Sequence, residues 1–198
     1  NIKNHLKIFT DEKFPPTYKS FFCMDFQMPK TSIKNQTFIR QASIEDPHEE
    51  EETKKKLEIM QGNKFKNIVF KRPSEIFENF NYSLFSYEIP ESLKKLNEEE
   101  FINPCFYNVI TSLVKFPNLL YRIFRTNFIN FNGYYEIALF INNKWTIVYI
   151  DDNLPYDNKN KKFFGAPFST NENIPNELWI LFLQKAISKI SGGYLNFM

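Results

Sequence analysis

The sequence is poor in several residue types that would otherwise identify its class. Only two of its 198 residues are cysteine, Cys23 and Cys105, and a chain of this length with so few does not indicate a disulfide framework. We therefore expect a reducing, intracellular compartment. No apolar run approaches the roughly 20 residues of a membrane-spanning helix, and residues 1–9 are too polar for a signal peptide.

Neither sign of charge dominates. The chain has 25 Lys and Arg against 23 Asp and Glu, a net charge of +2. This balance provides no electrostatic footprint for nucleic acid or an acidic membrane surface, so we expect neither as a partner. Aromatic residues are abundant instead, at 18% with 23 Phe and 10 Tyr, which excludes wholesale disorder.

The length suits one domain with a sizeable core, or one domain and an extended arm. Residues 1–43 show no sustained period and contain prolines that disfavour helix in the preceding residue, so we expect an extended N-terminal arm. Residues 44–64 form an acidic, charged insertion in which Glu51 and Lys55 have the i, i+4 spacing of a solvated helix. Residues 65–198 form the core. The chain starts with Asn and ends soon after Gly193, and we expect both ends to be cuts in a longer protein.

The core alternates helix and strand signals. Phe106, Val109, Ile110 and Leu113 have the spacing of one helical face, and Pro117 allows a second helix to start, over residues 118–125. Two strands are then predicted at 134–141 and 145–150, joined by an Asn-rich turn, after which residues 151–155 open a loop.

The last predicted element is a buried helix over residues 177–190. Asn176 is the expected N-cap, Glu177 suits the positive end of the helix dipole, and Gly192 and Gly193 form the stop signal. Because this helix is apolar nearly all round, we expect it in the interior. These elements predict an α+β fold, mainly helical with a β-hairpin, and not a parallel α/β sheet.

Several segments resemble, in order, the first protease-core subdomain of the calpain family. FTDEKFPPTYKSFF begins at Phe9 and is similar to the family's approach to the core, and FKRPSEI, from Phe70, is similar to its WKRPSEI. The segment 102–124 contains NPCF where the family has its GDCW nucleophile motif. The hairpin 133–155 resembles one that ends in VDD-x-LP, and NELW at 176–179 resembles the EFW start of a buried helix. The match implies one lobe of a papain-like core.

This resemblance implies a nucleophile position at Cys105, which the helical spacing of the following residues also puts at the start of a helix. A thiolate is the attacking species, and helix-end amides and an imidazolium favour its formation. However, Asn103 and Pro104 replace the family's Gly-Asp, and Phe106 replaces Trp. The family's oxyanion Gln falls on Glu99, whose carboxylate has no N–H to donate and would repel an oxyanion.

The histidines agree with a degenerate site. The only two are His5 and His48, whereas the family's general base follows the cysteine, so we interpret both as surface residues and the chain alone as inactive. Cys105 by itself fits a small buried hydrophobe better than a working nucleophile, and Cys23 carries no motif.

The family also implies a calcium site in this subdomain. Glu177 matches one of its ligands, but the expected Asp falls on Leu96 or Asn97, and calcium usually takes more than one carboxylate. We therefore expect no cofactor, with calcium at Glu177 as the alternative. Asp151 and Asp152 fit a turn better than a metal site.

Two functions follow from the sequence. The first is a catalytically inactive calpain-like module that acts as a structural or protein-binding component of a larger assembly, in the cytoplasm and conceivably on a cytoskeletal or ciliary structure. The alternative is the nucleophile-bearing half of an active intracellular calpain-type cysteine endopeptidase, with the His and Asn supplied from outside this chain.

Overall fold

The computed structural model describes residues 8–21, 51, 55, 67–77, 81–85, 103–165 and 176–197. The helices are a 3₁₀ turn at Tyr18–Phe21, α1 Pro73–Ile76, α2 Pro104–Leu113, α3 Pro117–Ile123, α4 Trp179–Ile190 and α5 Tyr194–Phe197. The strands are β1 Ile68–Lys71, β2 Tyr82–Ser83, β3 Tyr134–Ile141, β4 Lys144–Asp151, β5 Leu154–Asp157, β6 Lys162–Phe163 and β7 Asn176–Glu177. Helices and strands both contribute, which agrees with the α+β prediction. Among the described helices, none has the length and apolar character that crossing a bilayer requires.

β3 and β4 form the predicted hairpin. Asn142 and Asn143 make its two-residue turn with φ values of 49° and 61°, the left-handed conformation that Asn tolerates best after Gly. The antiparallel register pairs Ile141 with Lys144 and extends to the pair of Tyr134 with Asp151. The strand prediction is confirmed, with β4 one residue longer at each end.

The prediction that residues 151–155 open a loop was wrong from Leu154 onward. Residues Leu154–Asp157 form β5, which lies between β1 and β6 in an antiparallel three-stranded sheet. Its main partner, β1, lies far upstream in the sequence, so no local pattern around Pro155 could indicate the pairing. Gly165 is the last described residue of this segment.

The predicted start of the last helix was also wrong. Asn176 is not its N-cap, because Asn176 and Glu177 pair in parallel with β2 as β7. The Asn176 side chain donates to the carbonyl of Asn81 at 3.0 Å, and α4 begins only at Trp179, with Leu178 as the N-cap residue. Pairing with a distant strand therefore overrides the capping preference of Asn.

α4 is the central helix, as predicted. Its buried residues include Trp179 and Phe182, both with no exposed surface. The helix ends at the glycine pair: Gly192 has φ 82°, and the N–H of Gly193 bonds the carbonyl of Ser188 at 2.8 Å. This six-to-one bond is that of a Schellman cap, so the stop signal is confirmed.

α3 packs against β3 of the hairpin, and α2 packs against α3. Phe106 and Ile110 are buried, but Val109, predicted on the same apolar face, is 48% exposed. α3 ends at Ile123, two residues before the predicted end, because the next residue, Phe124, forms a bridge to β3.

Two apolar clusters hold the elements together. The larger one joins α2, α3, α4 and the inner face of the hairpin. The smaller one brings the arm onto the core: Phe14 and Phe21 pack with Ile68, Phe164 and Tyr194. Residues 8–21 thus contact the core directly, and the rest of the predicted arm (1–43) lies outside the described residues.

Within the predicted acidic insertion (44–64), only two residues are described. The Lys55 ammonium lies 3.0 Å from the Glu51 carboxylate, which confirms the i, i+4 pair. Both side chains are exposed, so this ion pair adds little to stability.

Candidate active site

Cys105 lies in the first turn of α2, as predicted from the sequence. Pro104 occupies the first helical position, where its missing N–H costs nothing, and the Asn103 side chain caps the helix by accepting the Phe106 N–H at 3.0 Å. Phe106 is buried in the main core and anchors this turn. Cys105 is therefore held at the N-terminus of a capped helix, the place that the nucleophile position requires.

The expectation that Cys105 is a buried hydrophobe was wrong, because the residue is exposed. Its neighbour Phe106 takes the inward position in this turn, and the helical rotation then directs residue 105 to the surface. In the part of the chain that the structure describes, no side chain hydrogen-bonds the thiol. Among the described residues, the geometry thus supplies an accessible thiol and no orienting base.

The other residues of the predicted site are not described. Glu99, at the oxyanion position, and Leu96 and Asn97, at the calcium position, lie outside the described residues. The same holds for the surface interpretation of both histidines, His5 and His48. The structure therefore neither brings Glu99 to Cys105 nor separates them.

Glu177 is buried at the end of β7, with 3% of its surface exposed. Its carboxylate accepts the indole N–H of Trp179 at 3.2 Å, so it helps fix the first residue of α4. Within the described segments, no group of three or more His, Cys, Asp or Glu side chains is placed to hold a metal ion. A single carboxylate fits calcium poorly, since that ion takes six to eight oxygens.

The KRPSEI segment has an architectural role. The Lys71 ammonium lies 5.2 Å from the centre of the Tyr156 ring. Pro73 starts α1, and Glu75 accepts the Arg72 N–H at 2.6 Å, one half of a capping box. The Arg72 guanidinium pairs with the Asp152 carboxylate.

A second group of contacts ties the arm to this segment. Arg72 also donates to the carbonyl of Phe9 at 2.8 Å, and the Phe9 N–H bonds the carbonyl of Asn132 at 2.7 Å. The Phe9 ring meets Tyr134 edge-on at 5.0 Å. The arm is therefore fixed by main-chain bonds as well as by its apolar side chains.

The aspartates at the end of β4 carry charge into the interior. Asp151 has no exposed surface, and one of its oxygens accepts from the Lys185 ammonium at 2.5 Å. Its other oxygen accepts the N–H of Asp11 at 2.6 Å. The Asn153 N–H bonds the Asp151 carboxylate at 2.9 Å, which is the predicted turn role. The buried ion pair with Lys185 is the larger of the two structural roles of Asp151.

Lys189, one helical turn beyond Lys185, repeats the arrangement. Its ammonium donates to Asp11 at 2.5 Å and to the carbonyl of Tyr149 at 2.7 Å. Together these charges form what we term the polar clasp. Its members are Asp11, Arg72, Asp151, Asp152, Lys185 and Lys189.

The clasp shifts the pKa values of its members. Burial alone would raise the pKa of Asp151, but the Lys185 ammonium and the N–H donors more than offset it, so this pKa lies below its usual range. Burial raises the pKa of Asp152, and Arg72 offsets that only in part. Burial lowers the pKa of Lys189, against the opposing charge of Asp11. Asp151 is therefore held in its charged form by the surrounding donors.

Sequence reasoning missed the clasp. A signal was present: Lys185 and Lys189 are spaced i, i+4 on a helix that is otherwise apolar nearly all round. Since a lysine is almost never fully buried without a partner, two of them on a core helix predict two buried carboxylates. Asp151 was considered only for a turn or a metal, and Asp11 was not considered.

Comparison with known protein families agrees with these observations. A family model described as calpain family cysteine protease matches residues 53–198. The match covers most of the chain, including the Cys105 turn, the hairpin, the KRPSEI segment and the central helix. It agrees with the resemblance of the motifs from Phe70 onward, whereas the segment that begins at Phe9 precedes the matched residues. The chain belongs to the calpain family of cysteine proteases.

Proposed function

We propose that this chain is a non-catalytic calpain-like module that serves as a structural or protein-binding component of a larger assembly, such as a cytoskeletal or ciliary one. The observation that carries the proposal is Glu99. The family places a Gln there, whose N–H groups stabilise the developing oxyanion, and a carboxylate at that position donates nothing and repels the charge.

The surroundings of Cys105 support the same conclusion. Asn103 and Pro104 stand where the family has Gly-Asp, and they make an efficient helix cap. A side-chain cap and an N1 proline stabilise a helix end. These substitutions favour the stability of α2 and contribute no catalytic group.

The motifs that match the family are architectural. Arg72, Asp151 and Asp152 belong to the polar clasp, and Glu177 and Trp179 fix the start of α4. A chain that has the scaffold residues and departs from the family at the catalytic positions fits a binding or structural role.

The alternative is an active endopeptidase that receives its His and Asn from elsewhere. One observation favours it: Cys105 is exposed in the first turn of α2, where a substrate and a base from a second lobe would have access. We rank it second because a second lobe would restore the base and not the Gln.

Labelling with a peptidyl epoxide, which alkylates activated protease thiols, tests the proposal on the intact native protein with its partners bound. We expect Cys105 to react no faster than a free thiol such as glutathione. Cys105→Ser and Cys23→Ser are the matched variants. Rapid, stoichiometric labelling that disappears in the first variant, persists in the second and is lost on unfolding would overturn the proposal.

Glu99→Gln separates the two functions further. An endopeptidase limited by its oxyanion site gains about 10²–10³-fold in peptide hydrolysis when one donor is restored. A binding module gains no activity from the same change. A measurable gain therefore favours the alternative.

A further inference from the structure

The outer face of the hairpin exposes several large apolar side chains near its turn. Phe140, Trp145, Ile147 and Tyr149 are 60%, 64%, 41% and 45% exposed. Because side chains alternate along a strand, the residues between them on β4 face the opposite way, and Val148 is buried. Phe140 and Trp145 meet edge-on at 5.6 Å, which gives the face a rigid aromatic end.

The backbone of β4 also has one edge directed away from β3. The two-residue turn makes the closing pair, Ile141 with Lys144, a hydrogen-bonded one, and bonded pairs then alternate along the ladder. Trp145, Ile147 and Tyr149 consequently direct their N–H and C=O groups outward. We call these groups the β4 edge.

Two contacts agree with this assignment. The Tyr149 carbonyl accepts from the Lys189 ammonium, so it points away from β3. On the other strand, Glu136 pairs with Tyr149, and its carbonyl accepts the N–H of Arg125 at 2.9 Å, outward from β4. The main-chain N–H and C=O groups of both Glu136 and Tyr149 therefore point away from the β3–β4 ladder, as the alternation requires.

Within the described residues, β4 pairs with β3 alone. The outward groups of Trp145 and Ile147 have no hydrogen-bond partner there. An open strand edge beside exposed apolar side chains is a template for another strand. In this form of recognition, main-chain bonds provide affinity and the alternating side chains provide selectivity.

The charged residues near the β4 edge indicate which kind of partner it can bind. Lys144 is exposed at one end of the β4 edge. Lys13 is exposed near the other end, close enough for its charge to act on Lys189. Among the nearby carboxylates, Asp11 pairs with Lys189, Glu136 accepts from the hydroxyl of Tyr134, and Glu12 is exposed beside Lys13. The edge is thus apolar in its middle and has an exposed lysine near each end.

We propose that the β4 edge binds an extended segment of another polypeptide, which adds to the hairpin as a strand. Alternate apolar side chains of this segment lie beside Trp145 and Ile147, and the segment carries carboxylates at both ends. This partner class deepens the proposed binding role. It does not depend on the state of Cys105, so the epoxide experiment and the one below can fail independently.

The two tryptophans supply the readout. Trp145 is 64% exposed and Trp179 has no exposed surface, so acrylamide quenches mainly the Trp145 emission of the full chain. The probe is a synthetic peptide, DEVTVTVED, with alternating Val and Thr between acidic ends. We expect loss of the quenchable emission and a shift to shorter wavelength as peptide is added, with weaker binding in high salt because the end charges are screened.

Ile147→Pro and Ile147→Thr form the matched pair. Both replace the isoleucine side chain with a smaller one, but only proline removes the outward N–H, and proline is tolerated where a strand N–H faces solvent. We expect the proline variant to bind about tenfold more weakly than the threonine variant, the change in affinity that one hydrogen bond of the upper usual strength provides. The hairpin itself should persist in both, as circular dichroism would show.

Three outcomes would overturn the proposal. The first is no protection of Trp145 at millimolar peptide. The second is equal protection by KKVTVTVKK, which removes the charge argument, or by DEVTPTVED, which cannot form a continuous strand. The third is protection that appears without peptide as protein concentration rises, because the occupant would then be a second copy of the chain.

Discussion

Lys185→Met tests the polar clasp most directly. The Lys185 ammonium is 2.5 Å from both the Asp151 carboxylate and the carbonyl of Asn153, and neither charged side chain has more than 1% of its surface exposed. Methionine fills a similar volume without the charge. The substitution therefore removes the cation and leaves the carboxylate buried.

The cost follows from that isolated charge. Removing one partner of a buried ion pair destabilises a protein by about 3–5 kcal/mol. Asp151 keeps the N–H donors of Asp11 and Asn153, so we expect a loss near the lower value, about 3 kcal/mol. Because domains are stable by about 5–15 kcal/mol, the variant should fold with much reduced stability.

The contribution of Asp151 to the pH dependence of the folding stability should differ in sign between the wild type and Lys185→Met. In the wild type the folded pKa of Asp151 is depressed, so its contribution is present above the unfolded pKa of about 3.9 and is lost as pH falls through the folded value. In Lys185→Met, burial without the cation raises this pKa. The variant should therefore gain stability relative to the wild type as pH falls from neutrality.

Urea unfolding followed by circular dichroism, at several pH values, measures both quantities. Asp151→Asn combined with Lys185→Met is the control, since removing both charges should recover about 1–3 kcal/mol of the loss by coupling. Equal midpoints for the wild type and Lys185→Met, with parallel pH slopes, would refute the argument that Asp151 is held charged by Lys185.

Three further predictions concern other parts of the fold. Gly133→Ala should destabilise the protein by about 1–3 kcal/mol, because Gly133 has φ 70° and an added Cβ would meet the Arg72–Asp152 pair. Thermal unfolding measures this loss, and an unchanged melting temperature would contradict it. Phe14→Ala should cost about 3–5 kcal/mol if the arm is part of the cooperative unit; limited proteolysis that cuts the arm no faster than in the wild type would contradict that role. Calcium should shift the melting temperature of the wild type and of Glu177→Gln by the same amount; a shift confined to the wild type would show that Glu177 is a ligand.

The match between motifs and contacts bears on what the family resemblance means. KRPSEI and the aspartates 151 and 152 are separated in sequence, yet Arg72 and Asp152 form an ion pair and Asp151 binds the arm through Asp11. A buried network of this kind requires every member, because a half-satisfied one leaves a charge without a partner. The motifs therefore report how the core is assembled more directly than what chemistry it performs.

The sequence by itself determined the local elements of this protein. The Asn-Asn turn, the two strands beside it, the buried central helix and its glycine stop all follow from residue spacing and backbone preference within a few positions. The Cys105 turn was likewise correct in place, because the apolar spacing of Phe106, Ile110 and Leu113 predicted a helix that starts there. These features depend on neighbours along the chain, and such neighbours are visible in a sequence.

Only the tertiary structure decided the rest. Asn176 became a strand residue and Leu154 the start of β5, because each pairs with a segment far upstream. Cys105 proved exposed because Phe106 takes the inward position of that turn. Asp11, in the arm, meets Lys189, near the other end of the chain. Such contacts join residues that share no local pattern, since burial and pairing are properties of the assembled fold and not of any one segment.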